Sequence, residues 1–168
     1  ILNGIILTFR PAKSAKLYKS VWTDKGSPLL VYSERILEKL KRTVPENIEI
    51  ELAMRYGKPN MEKALLSLKD KNCQSLIILP LFPQYSGTTT GSVFDEVTRV
   101  LSKWRWVPAL NFINSYHDHD SYIPGLVATI KNKISNHMPK KKIITYHGIP
   151  EKNLTSGDPY KCFCQKTT

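Results

Sequence analysis

The sequence is poor in cysteine, in acidic residues and in long apolar runs, and each scarcity excludes a class of protein. Only three of its 168 residues are cysteine, which argues against a secreted disulfide framework and for a reducing compartment. The densest apolar run, residues 76–82, is far shorter than the roughly 20 residues that a membrane-spanning helix needs. No heptad or triplet repeat occurs, which excludes coiled-coil and collagen-like proteins.

The shortage of acidic residues leaves a formal charge of +11, from 25 Lys and Arg against 14 Asp and Glu. Such a charge suits a nucleic acid, an anionic lipid or an acidic ligand. The lysines are scattered, however, and no nucleic-acid-binding motif accompanies them, so we expect no nucleic-acid partner. We expect a cytoplasmic location, with peripheral contact to an anionic inner membrane as an open alternative.

The chain is long enough for one domain with its own core. It lacks an initial Met and ends on the polar string 165–168. We therefore interpret it as a piece of a longer protein.

Apolar patterning alternates between helix and strand along the chain. Helices are predicted at residues 11–22, from 28 towards 45, and at 61–70, 88–103 and 121–136; strands are predicted at 48–54, 76–79, 110–113 and 143–146. This order predicts an α/β fold, with a parallel sheet covered by helices on both faces. Ligands then bind beyond the carboxyl ends of the strands, so the loops at 55–57, 80–91, 114–120 and 147–150 are the candidate site.

A single histidine follows the last predicted strand, in the sequence Tyr-His-Gly-Ile-Pro at residues 146–150. Gly148 and Pro150 favour a turn that presents the imidazole of His147 to the crevice. An imidazole titrates near neutral pH, which suits a proton acceptor or a metal ligand. A purely structural histidine is the alternative.

The loop 80–91 is uncharged, contains two prolines and opens a helix. Its hydroxyls and glycines at a helix N-terminus favour a phosphate or nucleotide site, although the P-loop pattern is absent. Capping of the helix by Ser86 or Thr88 is the other interpretation.

Two further groups of residues resemble metal sites, one of histidine and aspartate and one of cysteine. His117, Asp118, His119 and Asp120 are consecutive, and consecutive side chains do not converge on one ion. We therefore expect Asp120 or Ser121 to cap the next helix.

The cysteines supply few ligands. Cys162 and Cys164 provide only two of the four that a structural zinc or iron–sulfur cluster needs, which favours ordinary thiols. Cys73 is predicted to be a small buried hydrophobic residue.

Arg10 and Lys13 are three residues apart at the start of a predicted helix, so they share a face. Two cations on one face suit a dicarboxylate ligand. Spacing alone favours a solvated basic surface.

Taken together, the sequence resembles the ferrochelatases, which insert ferrous iron into a porphyrin. The matching segments are residues 10–18, Gly-Ser-Pro-Leu at 26–29, Met-Arg-Tyr-Gly at 54–57, Leu-Pro-Leu at 79–81, Pro-Gln-Tyr-Ser at 83–86, Tyr-His-Gly-Ile-Pro at 146–150 and Gly-Asp-Pro-Tyr at 157–160. The resemblance implies a Rossmann-like lobe, the first of two that enclose the porphyrin cleft. It also implies that a first strand and a second lobe are missing from residues 1–168.

The resemblance assigns roles to individual residues. His147 matches the active-site histidine, which acts as iron ligand or as acceptor of the pyrrole protons. Arg55, Tyr56, Tyr85 and Ser86 match residues of the porphyrin cleft. Arg10, Lys13 and Ser27 match the region near the porphyrin propionates.

The implied substrates are protoporphyrin IX and ferrous iron, in the last step of protohaem synthesis, and no cofactor is required. The partner glutamate of His147 belongs to the second lobe, so residues 1–168 alone are expected to be inactive. A nucleotide- or phosphate-binding lobe and a related chelatase, with coproporphyrin or another metal, remain alternatives.

Overall fold

The computed structural model describes residues 15–135, 141, 143, 145 and 147–167. The chain forms two compact units, Ile1–Met54 and Arg55–Thr168.

The first unit contains a helical segment at residues 15–21 and helix α1, Pro28–Lys41. Ser27 is the N-cap of α1, and its hydroxyl accepts a hydrogen bond from the Leu30 amide at 3.2 Å. Pro28 suits the first turn because an amide there has no partner within the helix. The predicted start of this helix is therefore confirmed.

The second unit alternates helices with the two strands of a small sheet. Its elements are α2 (Met61–Asp70), β1 (Ser75–Ile78), a π-helical turn (Gly87–Gly91), α3 (Ser92–Leu101), β2 (Ala109–Phe112), α4 (Tyr122–Ile134), α5 (Glu151–Thr155) and α6 (Tyr160–Thr167). Strands β1 and β2 pair in parallel, with Leu76 opposite Leu110. This arrangement confirms the predicted α/β class.

The core of the second unit lies between α2, β1 and α3. Leu65, Leu76, Val97 and Val100 are all buried, and Val97 is fully shielded from solvent. Apolar residues three and four apart on α3 supply one continuous buried face. This packing fixes the strand ends from which the site loops leave.

The two faces of β1 differ in their exposure to solvent. Leu76 is buried, whereas the side chain of Ile77 is 67% exposed. Successive strand residues point to opposite faces, so one face of β1 is uncovered in this structure.

One predicted strand does not form, and another is described only in part. Residues 48–53 are irregular. Of the predicted strand at 143–146, the described residues Ile143 and Thr145 have no regular structure, whereas Ile144 and Tyr146 lie outside the described ranges. Alternating apolar residues determine which way side chains point, but a strand also needs a hydrogen-bonded neighbour.

The prediction that the side chain of Asp120 or Ser121 caps α4 is wrong for Ser121. Ser121 occupies the N-cap position in a helical conformation and makes no side-chain capping bond. A capping hydroxyl requires an extended backbone at that residue. Instead, the Ser121 amide donates to the Nδ1 atom of His119 at 3.2 Å.

Within the described part of the chain, no helix combines the length and the apolar content that crossing a membrane would require.

Candidate functional site

The loops that follow the two strands meet beyond the strand ends. The Tyr116 amide, after β2, donates to the carbonyl oxygen of Pro83, after β1, at 2.9 Å. Parallel strands end at the same edge of a sheet. The sequence-predicted loops 80–91 and 114–120 are therefore neighbours, as expected.

The carboxylate of Asp158 joins the loop after β1 to the C-terminal helices. Its Oδ2 atom accepts hydrogen bonds from the Ser86 hydroxyl and the Gly87 amide, both at 2.8 Å. Its Oδ1 atom accepts from the Tyr160 amide at 3.0 Å, at the start of α6. One side chain thus bonds to the beginnings of two helical segments that are about 70 residues apart in the chain.

Ser86 caps the π-helical turn, as one of the two sequence interpretations predicts. Its hydroxyl oxygen accepts a hydrogen bond from the Thr88 amide at 3.3 Å. The same hydroxyl donates a hydrogen bond to Oδ2 of Asp158. The other interpretation placed a phosphate at this N-terminus. Because the carboxylate of Asp158 already accepts the Gly87 amide, the chain supplies its own anion there.

The turn that carries His147 is attached to the same group of residues. The hydroxyl of Tyr160 donates to the backbone carbonyl oxygen of His147 at 3.1 Å. Asp158 and Tyr160 therefore connect the His147 turn with the Ser86 loop.

The imidazole of His147 is exposed, and its Nδ1 atom lies 2.8 Å from the Gly148 carbonyl oxygen. A carbonyl oxygen only accepts hydrogen bonds, so Nδ1 carries the proton. The Nε2 lone pair is then the basic site of the ring. This arrangement leaves a proton acceptor or metal ligand at the surface of the turn.

A cleft of about 410 Å³ lies beside these loops. It is lined by Tyr85, Gly87, Thr88, Asn153, Ser156, Gly157 and Asp158. A Cβ atom at Gly91 would stand 3.0 Å from the Tyr85 hydroxyl oxygen. Glycine at this position thus lets the tyrosine pack closely against the π-helical turn.

Arg55 and Tyr56 form a second candidate binding surface. The Nε–H of Arg55 points to the Ser92 carbonyl oxygen at 2.8 Å and the Ser92 hydroxyl oxygen at 2.7 Å. The guanidinium carbon lies 4.5 Å from the centre of the Tyr56 ring. The ring itself is 77% exposed, so Arg55 supports an aromatic surface that is open to a ligand.

The electrostatic environment of Arg55 is set by α3. Its NH1 atom lies 4.0 Å from Oε2 of Glu96. Glu96 also accepts two hydrogen bonds from Arg99, at 2.8 and 2.9 Å. The bonds from Arg99, reinforced by the nearby charges of Arg99, Arg55 and Lys103, hold the pKa of the Glu96 carboxyl below its ordinary value of 4.5.

The remaining predicted site residues lie outside the described part of the second unit. Ser27 belongs to the first unit, where it caps α1. Arg10 and Lys13 lie outside the described residues.

The two histidines of the cluster 117–120 have different surroundings. His117 is buried against Phe163, with ring centres 4.5 Å apart, whereas the exposed His119 accepts the Ser121 amide. Cys73 and Cys162 are thiols outside any disulfide, and Cys73 is only half-buried. Among the described residues, no three His, Cys, Asp or Glu side chains are grouped as a metal site would require.

Asp158 and Tyr160 are the residues that sequence reasoning did not assign to the site. Their signal was present in the segment Gly-Asp-Pro-Tyr at 157–160. An aspartate before a proline is a typical helix start, but nothing in the sequence indicates that its second oxygen reaches Gly87. Ser86 was predicted to touch the porphyrin, and this stays a prediction; in the structure it is fully buried.

Comparison with known proteins agrees with the resemblance in the sequence. A family model described as Ferrochelatase matches residues 1–168. The Ferrochelatase of Shewanella denitrificans is 48% identical to this chain, and the alignment covers 100% of the chain and 53% of the relative. The Ferrochelatase 2 of Shewanella oneidensis is 47% identical with the same two coverages, and the Ferrochelatase of Thioalkalivibrio sulfidiphilus is 46% identical over 99% of the chain and 47% of the relative.

The chain spans about half the length of the curated relatives it matches. The family model nevertheless covers every residue of the chain, including the His147 turn and both loops that the structure brings together. The identity, close to half of all positions, extends over the same length. The chain therefore belongs to the ferrochelatase family.

Proposed function

We propose that the protein inserts ferrous iron into protoporphyrin IX, the last step of protohaem synthesis. The single observation that supports this most strongly is the family match over the whole chain, including the exposed His147. Iron is a substrate in this reaction and is held only briefly. A tight cage of ligands is therefore not needed.

In the proposed reaction, His147 accepts a proton. A free porphyrin carries two N–H protons, which must both leave as the metal dication enters the ring. His147 accepts them one after the other and passes each to solvent water, to which its imidazole is exposed. The bond between Nδ1 of His147 and the Gly148 carbonyl oxygen supports this role, because a proton on Nδ1 leaves the lone pair on Nε2. Nε2 can then accept a proton or bind the incoming iron.

The macrocycle is proposed to lie against aromatic side chains. Tyr56 is exposed and backed by Arg55, and Tyr85 lines the cleft beside Asp158. Flat apolar ligands favour such rings. Rigid contacts of this kind would hold the porphyrin so that its nitrogen lone pairs face the metal.

The propionates of the porphyrin are proposed to bind Arg10, Lys13 and Ser27. This part of the proposal depends on the resemblance. Charge-assisted hydrogen bonds to carboxylates are shorter and stronger than neutral ones. They would orient the macrocycle without taking part in the chemistry.

The reaction is proposed to require a carboxylate outside residues 1–168, opposite His147. A protein limited to these residues would then bind porphyrin weakly and turn over nothing. Porphyrin fluorescence titration and a metal-insertion assay on that protein test this statement. Clear catalysis by residues 1–168 alone would contradict it.

The proposed activity is tested with the complete natural protein, ferrous iron or zinc, and two porphyrins, protoporphyrin IX and coproporphyrin. We expect insertion into protoporphyrin IX that is abolished by His147→Ala. His119→Ala is the matched control, since it removes an exposed imidazole from a different loop. Near-normal turnover by His147→Ala would remove His147 from the mechanism, and a preference for coproporphyrin would support the related chelatase.

A further inference from the structure

We infer that Asp158 is a positioning residue that couples the loop carrying Tyr85 to the turn carrying His147. The inference rests on the proposed function, because it assigns roles within the same reaction. Asp158 itself is not proposed to touch substrate. It acts through the Tyr85–Ser86 loop on one side and through Tyr160 and His147 on the other.

The first contact of Asp158 determines the conformation of the loop after β1. Its Oδ2 atom accepts both the Ser86 hydroxyl and the Gly87 amide. Ser86 is fully buried, and a shift of the loop would break both of these charge-assisted bonds. Tyr85 precedes this anchor directly and lines the cleft. The orientation of its ring therefore depends on Asp158.

The second contact determines where α6 begins. The Oδ1 atom of Asp158 accepts the Tyr160 amide at 3.0 Å, which places Tyr160 so that its hydroxyl reaches the His147 carbonyl oxygen at 3.1 Å. The residues around Asp158 are themselves held, since its amide donates to the Asn153 carbonyl oxygen at 3.0 Å. The backbone from which the His147 imidazole projects is thus tied to the same carboxylate.

Both carboxylate oxygens of Asp158 are needed, because Oδ2 accepts from Ser86 and Gly87 whereas Oδ1 accepts from Tyr160. An asparagine at this position has one acceptor oxygen and one donor NH₂. It could accept from Tyr160 or from Gly87, but not from both. Asp158→Asn is therefore a nearly isosteric change that breaks the coupling on one side.

The experiment compares Asp158→Asn, Ser86→Ala and Tyr160→Phe in the complete natural protein, with KM for porphyrin and kcat measured separately. Asp158→Asn should lower kcat/KM by roughly ten- to a hundred-fold, as expected for the loss of hydrogen bonds to a charged group. Tyr160→Phe should lower kcat and leave KM unchanged, because it loosens only the His147 side. Ser86→Ala should raise KM and leave kcat nearly unchanged.

Asp70→Asn is the matched control, since Asp70 is exposed at the end of α2. It should leave KM and kcat at wild-type values. Amide hydrogen exchange gives a second readout that does not depend on catalysis. In Asp158→Asn, exchange should accelerate at Gly87 or Tyr160, whichever loses its acceptor.

A purely structural role would reduce activity only in proportion to the folded fraction, with the same KM in every variant. That result, or wild-type kcat and KM in Tyr160→Phe and Ser86→Ala, would overturn the inference. The last two variants also keep it testable if Asp158→Asn does not fold. An inactive wild-type protein would instead refute the proposed function itself.

Discussion

His117 packs its buried imidazole against the ring of Phe163, with ring centres 4.5 Å apart and planes inclined by 38°. The contact joins the loop after β2 to α6. His117 is only 2% exposed, and neither ring nitrogen has a hydrogen-bond partner among the described residues. The imidazole therefore acts here as a flat packing surface, and its two polar atoms are shielded at a cost.

This relationship predicts that His117→Phe leaves the protein at least as stable as wild type. The change keeps a planar ring against Phe163 and removes two unsatisfied polar atoms, which is neutral or stabilising when shape is retained. Thermal unfolding measures the outcome.

His119→Phe is the control for His117→Phe. It should lose about 0.5–1.5 kcal/mol with its bond to the Ser121 amide. A large loss of metal insertion in His117→Phe would contradict the packing role and place a functional ligand in this loop.

Arg55→Ala is predicted to weaken both folding and porphyrin binding. The variant loses the charged bonds to Ser92 and the support of the Tyr56 ring, and bonds to charged groups contribute about 1.5–3 kcal/mol each. Chemical denaturation and porphyrin titration measure the two effects.

Arg35→Ala is the matched control for Arg55→Ala. The Arg35 guanidinium lies 5.5 Å from the centre of the Tyr32 ring, and an exposed contact of this kind is worth about 0.5–1 kcal/mol. Equal losses in the two variants would show that Arg55 is only another surface cation.

Glu96 is predicted to stabilise the protein above acidic pH. Hydrogen bonds from Arg99 lower its pKa in the folded state, so its contribution is complete above the unfolded pKa, ordinarily 4.5, and is lost as the pH falls through the lowered value. The Tm difference between wild type and Glu96→Gln should therefore be constant near neutral pH and shrink below it.

Glu38→Gln, on the exposed side of α1, serves as the control for Glu96→Gln. It should show a smaller and flatter difference from wild type over the same pH range. A difference for Glu96→Gln that grows on acidification would reverse the assigned sign.

Arg10 and Lys13 are predicted to recognise the propionates of the porphyrin. Arg10→Ala or Lys13→Ala should weaken porphyrin binding roughly ten- to a hundred-fold. Lys140→Ala, in the basic run 140–142, should change it little, because exposed charge pairs contribute about 0–1 kcal/mol.

Esterification of the porphyrin tests the same contact from the ligand side. The dimethyl ester should bind wild type as weakly as the acid binds the alanine variants. Equal effects of the substitutions at Arg10, Lys13 and Lys140, or equal binding of the acid and the ester, would show that these cations are only solvated surface charge.

Local signals in the sequence determined much of this protein. Pro28 after Ser27 determined where α1 begins, and the run from Met61 determined α2, because capping and helical periodicity act between residues a few positions apart. The order of strands and helices determined the α/β class. The turn after a strand-like segment was enough to single out His147.

Only the tertiary structure decided what depends on distant partners. The alternating residues 48–54 specify a face but no neighbour, and they form no strand at 48–53. Nothing local indicates that Asp158 reaches Gly87, 71 residues away. The two oxygens of a carboxylate accept hydrogen bonds from different directions. Which donors they bond to depends on how the helices pack.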